Sequence, residues 1–203
     1  SSKFSLENKV AIITGGTGVL GSSIAMSFCK SGVKVVVLGR HKDKIDQIVN
    51  QLLKCGGEAV GFECNVISKQ SVEDVSLKVL KTFGKIDILL NAAGGNMPGA
   101  TIGENQNIFD LSLEEFSKVT ELNLNGSVIP SLIFGKVMAK QKSGVIVNYS
   151  SMSADRVISR VVGYSASKAA IENFTKWMSV EMALKFNGKI RVNAIAPGFF
   201  IGN

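Results

Sequence analysis

Short apolar runs alternate with amphipathic stretches along the chain. Val10–Thr14 is an apolar run, followed by glycines and a helical pattern from about Ser22 to Lys30. Val33–Leu38 repeats the theme and leads into a stretch from Asp43 where Ile45, Ile48, Val49, Leu52 and Leu53 share one helical face. Ala59–Glu63 predicts a third strand, and Val72, Val75, Val79 and Leu80 mark a helix beginning near Ser71. Ile86–Leu90, Val145–Tyr149 and Ile190–Ala194 predict three more strands. Before the fifth, Ser112-Leu-Glu-Glu115 has the form of a capping box. The helical pattern it opens runs past Asn123 to about Gln141, with a kink expected at Pro130. A long helix is expected from near Tyr164.

Strands that are apolar on both faces, each followed by a helix, imply an α/β fold with a parallel sheet covered on both sides. Right-handed crossovers make it doubly wound, a Rossmann-type arrangement whose ligands bind outside the carboxyl ends of the strands. The 203 residues fit a single domain spanning 1–203. No repeat or Pro/Ser-rich linker suggests a boundary.

Composition narrows the classes. No apolar run approaches the roughly 20 residues of a membrane span, and the N-terminus has no signal-like apolar region. A cytoplasmic protein with no membrane partner is expected. The net charge of +7 comes from 23 scattered Lys and Arg, without a basic block, so a nucleic-acid partner is not expected. Cys29, Cys55 and Cys64 form no C-x-x-C pair and read as small buried thiols, and the single His41 has no clustered partner for a metal.

Polar chemistry collects at the strand ends. Thr14-Gly-Gly-Thr-Gly-Val-Leu-Gly21 carries G-x-G-x-x-G as Gly16, Gly18 and Gly21, between a strand and a helix. Such glycines allow a tight turn and close approach to a pyrophosphate, which the helix N-terminus attracts. After the second strand, Gly39-Arg40-His41-Lys42 has no acid for a ribose 2′-hydroxyl. Arg40 can meet a 2′-phosphate and Gly39 leaves room for it, so NADP(H) is favoured over NAD(H). Tyr164 and Lys168 stand four residues apart on one helix face. A phenol of ordinary pKa about 10 is a poor base, but a neighbouring ammonium stabilises the phenolate for acid/base work on a carbon–oxygen bond. Ser151, thirteen residues earlier at the end of the fifth strand, can polarise the same oxygen.

With these features in order, the chain resembles the short-chain dehydrogenase/reductase family over nearly its whole length. The matching segments are the Thr14–Gly21 loop, Asn91-Ala-Ala-Gly94, Asn123 in Leu122-Asn-Leu-Asn-Gly126, Ser151, Tyr164 with Lys168, and Arg191-Val-Asn-Ala-Ile-Ala-Pro-Gly198. The resemblance implies Tyr164 as acid/base, Ser151 as substrate-orienting group, and Lys168 on the nicotinamide ribose. It implies that Asn123 holds a water linking Lys168 to solvent. Gly15, Thr17, Gly18, Leu20, Gly21, Arg40, Asn65, Val66, Asn91, Ala93, Gly94, Pro197 and Gly198, with Tyr164 and Lys168, would contact the cofactor. Ala92, Val19, Asn65 and Gly202 depart from the usual Asn, Gly, Asp and Thr.

The segment after Pro197-Gly198 is Phe199-Phe-Ile-Gly-Asn203, where the family enters a substrate lid and a seventh strand, so a truncated chain is expected. Gly94-Gly-Asn-Met-Pro-Gly-Ala-Thr101 and Ala196-Pro-Gly-Phe-Phe200 resemble the D-mannonate oxidoreductase (fructuronate reductase) branch. Gluconate 5-dehydrogenase and 3-oxoacyl-carrier-protein reductase are alternatives, as is a non-hydride epimerase or dehydratase on the same scaffold. Arg156 and Arg160 are candidates for a substrate carboxylate. A homodimer or homotetramer is a family expectation; Phe174, Trp177, Met178 and Met182 serve core or interface, with core the first choice.

Overall fold

The computed structural model describes residues 5–186 and 188–199. Six strands form one sheet: β1 (Val10–Thr14), β2 (Lys34–Gly39), β3 (Ala59–Glu63), β4 (Ile88–Asn91), β5 (Gly144–Tyr149) and β6 (Ile190–Ile195). Every pairing is parallel and the order is β3-β2-β1-β4-β5-β6. The chain therefore winds outward from β1 to one edge, then returns and winds from β4 to the other. The order reverses between β1 and β4, which opens a crevice above their carboxyl ends.

The helices are α1 (Val19–Lys30), α2 (Lys42–Lys54), α3 (Lys69–Phe83), α4 (Leu113–Thr120), α5 (Gly126–Gln141) and α6 (Val162–Lys185). Strand alternation divides the core. Val10 and Ile12 of β1 face Val72, Val75, Phe134, Met138 and Met178, which come from α3, α5 and α6. Ala11 and Ile13 face the other way, onto Ala25, Cys29, Ile45 and Leu52 of α1 and α2. Both faces of the central strands are covered, which is why these strands read as unbroken apolar runs.

The structure alters several sequence expectations. Ser112 caps α4 by accepting the Glu115 N–H, but the Glu115 carboxylate turns to Lys118, so only half of the capping box forms. The irregularity between α4 and α5 is a π-helical turn at Glu121–Asn125, one turn before Pro130, with the Gly126 N–H donating to the Glu121 carbonyl. Pro130 lies inside α5, buried. Cys29 and Cys64 are buried thiols, whereas Cys55 caps the exposed end of α2. Phe174, Met178 and Met182 pack on the core, but Trp177 is 69% exposed, because it sits on the opposite side of α6. The run beyond Phe199, including Gly202, lies outside the described residues. Among the described residues, no helix is long and apolar enough to cross a membrane.

Candidate active site

The loop after β1 is shaped by steric necessity. Gly15 has φ 63° and its missing Cβ would fall 2.8 Å from the Ala92 carbonyl oxygen and the Ala93 backbone. At Gly21, inside α1, a Cβ would come within 2.3 Å of the Gly15 carbonyl oxygen. The Ala93 N–H donates to the buried Thr14 hydroxyl at 3.1 Å, tying the two loops together across the reversal of strand order. Gly18 is the N-cap of α1 without a capping side chain, and the first turn carries no acid, so the N–H groups there are left for an anion.

Gly15, Thr17, Gly18, Arg40, Cys64, Val66, Ala93 and Gly94 line a cavity of about 200 Å³. Arg40, Asn65, Val66 and Leu122 also line an adjoining cavity of about 540 Å³. Arg40 is exposed and forms no ion pair among the described residues, while the neighbouring Lys42 is engaged by Asp46. Gly39 lines the smaller cavity beside Arg40 and also has a packing role. Its Cβ position points at Thr17 Cγ2 (3.0 Å) and Ile45 Cγ1 (3.1 Å), so the glycine makes room for the loop and α2 to pack. Asn65 is occupied with its own turn, its Oδ1 accepting the Ile67 N–H. Asn91 is not among the residues lining these two cavities. It is buried, and its amide donates to Ser127 O, Ser131 Oγ and Asn148 Oδ1, locking β4 to β5 and α5.

A third cavity, about 280 Å³, shares Ala92 and Gly94 with the first and is lined also by Leu20, Gly95, Tyr149, Ser150, Ser151, Tyr164, Lys168, Pro197 and Gly198. Tyr164 and Lys168 come from the first turns of α6, one turn apart, with the Lys168 Nζ 5.5 Å from the phenol ring centroid. Lys168 is 4% exposed and donates to the Tyr149 carbonyl at 2.8 Å. Burial pushes its ammonium down to about 8. Ser151, at the turn following β5, uses one lone pair to accept the Ser153 N–H at 3.2 Å. The Met152 N–H donates to the Pro197 carbonyl, so the segments after β5 and β6 are held side by side.

Asn123 sits fully buried in the π-helical turn. Its Nδ2 donates to the Gly95 and Val119 carbonyls, both at 2.8 Å, and its Oδ1 accepts the Gly95 N–H at 3.0 Å. The amide thus grips the main chain of the loop after β4. Gly94, with φ 149°, threads between this amide and Lys168: a Cβ there would lie 2.5 Å from Asn123 Oδ1 and 3.6 Å from Lys168 Nζ. Arg160 is committed elsewhere, its Nε donating to the Ile102 carbonyl and its guanidinium facing Glu104 at 3.5 Å. Arg156 is exposed and lines none of these cavities. Sequence reading passed over Leu122, Cys64, Tyr149 and Ser150 as wall residues. Leu122 and Cys64 look like core positions, and Tyr149 contributes through its carbonyl, which carries no signature.

A phenol, an ammonium and a hydroxyl thus share a pocket with the glycine-walled crevice. A family model for short chain dehydrogenases matches residues 9–201. The chain belongs to that family. An uncharacterized oxidoreductase, UxuB, of Bacillus subtilis is 41% identical, over 97% of this chain and 72% of its own length. A provisionally named D-mannonate oxidoreductase of Haemophilus influenza, solved with bound NAD, superposes with a TM-score of 0.91 at 35% identity, covering 98% of this chain and 74% of its own. An actinorhodin polyketide ketoreductase variant solved with NADPH superposes with a TM-score of 0.86 at 30% identity, covering 94% and 70%. The protein is therefore an NAD(P)-dependent oxidoreductase of the short-chain dehydrogenase/reductase family.

Proposed function

We propose that this short-chain dehydrogenase/reductase uses NADP(H) to interconvert a carbonyl and a secondary alcohol on a sugar acid of the D-mannonate/fructuronate type. The observation that carries the reaction is the shared wall at Ala92 and Gly94 between the glycine-loop cavity and the one holding Ser151, Tyr164 and Lys168. The residues fit a dinucleotide: a crevice edged by loops whose close packing excludes Cβ atoms at Gly15, Gly21 and Gly94, and uncapped N–H groups at the start of α1. Bound there, the dinucleotide supplies or accepts the hydride.

The protein's own contribution is proton transfer and orientation. Tyr164 gives its proton to the substrate oxygen in the reductive direction and takes it back in the other. Ser151 donates to that same oxygen through the hydroxyl proton that its Ser153 contact leaves free. Lys168 has one donor on the Tyr149 carbonyl, leaving its other two for ribose hydroxyls, and its ammonium faces the charge that develops on the phenol oxygen. Asn123 sets the Gly94-Gly95 loop. Its side chain is spent on backbone, so a water joining Lys168 to solvent would use the Asn123 main-chain carbonyl, which also accepts from Ser127 Oγ.

Arg40, which forms no ion pair among the described residues and lines the smaller cavity, supports NADP(H) through a planar cation that matches a 2′-phosphate. The name carried by the NAD-bound neighbour, together with the Gly94–Thr101 segment, supports the sugar-acid class. The exposed strip of Trp177, Val180 and Leu184 on α6 supports assembly into a homodimer or homotetramer. The test is a screen of keto acids and ketoses for NADPH oxidation by the intact protein, D-fructuronate foremost. Net NADPH consumption sustains the reductase; turnover of a sugar substrate without net cofactor change would point to an epimerase instead.

A further inference from the structure

We propose that Glu172 is a positioning residue that holds Ser151 in register for the reaction. The inference rests on the roles assigned above to Ser151 and Tyr164. Tyr164, Lys168 and Glu172 follow one another at four-residue steps along α6 and so lie along one helix face. That face meets the carboxyl end of β5, where three consecutive residues are used in turn. The Tyr149 carbonyl accepts from Lys168 Nζ at 2.8 Å, and the Ser150 hydroxyl donates to Glu172 Oε1 at 2.7 Å. Ser151 then enters the cavity beside Tyr164.

Ser150 is 3% exposed and its N–H donates to the Ile195 carbonyl at 2.8 Å, so the strand end is pinned by β6 on one side and by α6 on the other. The pin on the α6 side is a hydroxyl–carboxylate bond, a charge-assisted contact about twice as strong as a neutral one. Glu172 forms no salt bridge among the described residues. It is also absent from the cavity wall, so its influence on chemistry passes through Ser150 to the next residue. Displacing a reacting group by about 1 Å can cost on the order of 100-fold in rate, which is the scale of the effect expected when this pin is removed.

The test compares Glu172→Gln, Glu172→Ala, Ser150→Ala and the Glu172→Ala/Ser150→Ala double variant in the intact protein. Amide hydrogen exchange over residues 149–154 should quicken in both alanine variants, quicken distinctly less in Glu172→Gln, which keeps a neutral acceptor for Ser150, and be unchanged around the glycine loop. With NADPH and D-fructuronate, kcat should fall about 10- to 100-fold in the alanine variants. KM and NADPH affinity should hold within about two-fold, and the double variant should be no slower than either single one. Wild-type exchange in Glu172→Ala, a Gln variant as impaired as the alanine one, or additive losses in the double variant would each overturn the assignment. Exchange needs no substrate, and Ser150→Ala carries the test should Glu172→Ala not fold. A Tyr164→Phe control separates the two levels. If it stays fast, the catalytic reading falls; if it is slow while Glu172→Ala is normal, only the role of Glu172 falls.

Discussion

The two ends of the cleft are built on different principles. At the dinucleotide end, the loop after β1 takes its shape from absent atoms: Gly15 and Gly21 let backbone approach backbone at distances no side chain permits. At the reacting end, shape comes from side chains that reach across elements far apart in the chain. Asn123 grips Gly95, Lys168 reaches back to Tyr149, and Glu172 holds Ser150. A steric cradle is local and tolerates no enlargement. A web of long-range polar contacts can be weakened bond by bond, and each loss should appear in rate before it appears in fold.

The sharpest division between the two ends is Tyr164→Phe, which removes one oxygen at the reacting end and nothing elsewhere. Turnover should drop by about 100- to 10,000-fold, the usual worth of a positioned acid/base. NADPH binding, followed by fluorescence titration, should stay near wild type. Loss of binding in this variant would mean that the ends are not separable. Gly21→Ala is the converse. Its Cβ would collide with the Gly15 carbonyl oxygen, so cofactor binding should be abolished and urea denaturation should show a loss of about 1–3 kcal/mol from overpacking.

Arg40→Ala probes the far edge of the cradle. The affinity for NADPH should fall about ten-fold while that for NADH changes little, as expected when a planar cation no longer meets a phosphate. Equal effects on both cofactors would remove the argument for NADP(H). The smallest effect concerns Lys168 in the cofactor-free protein. Its ammonium is held at about 8, below the ordinary 10.5 of the unfolded chain. Between those values the unfolded state binds more protons than the folded one, so the stability contributed by this group rises as pH increases through the window. Below pH 8 the cost of burying the charge is present in full. The urea midpoint of the wild type, measured against Lys168→Met, should therefore climb from pH 8 toward pH 10; a flat difference would show that Lys168 is not desolvated.

The cradle was legible in the sequence and most of the web was not. A glycine between a strand and a helix announces its function through what it lacks, and Val10–Thr14 and Ala59–Glu63 were readable to the residue because both faces of those strands are buried or packed. That Tyr164, Lys168 and Ser151 would share one cavity was legible by type and spacing. The protein contacts of Gly39, Asn91 and Arg160 were not legible, because their neighbours Thr17, Asn148 and Ile102 are far away in the chain.

By itself the sequence determined which segments become strands and helices, and which residues have the chemistry proposed here for moving a proton and meeting a phosphate. Those properties follow from periodicity, from missing Cβ atoms and from intrinsic side-chain chemistry, all of which are local. Only the tertiary structure decided that a π-helical turn would aim Asn123 at Gly95, that burial would depress Lys168, and that Glu172 would meet the strand end before Ser151. Those outcomes depend on contacts between residues tens of positions apart, and on the exclusion of water from the space between them.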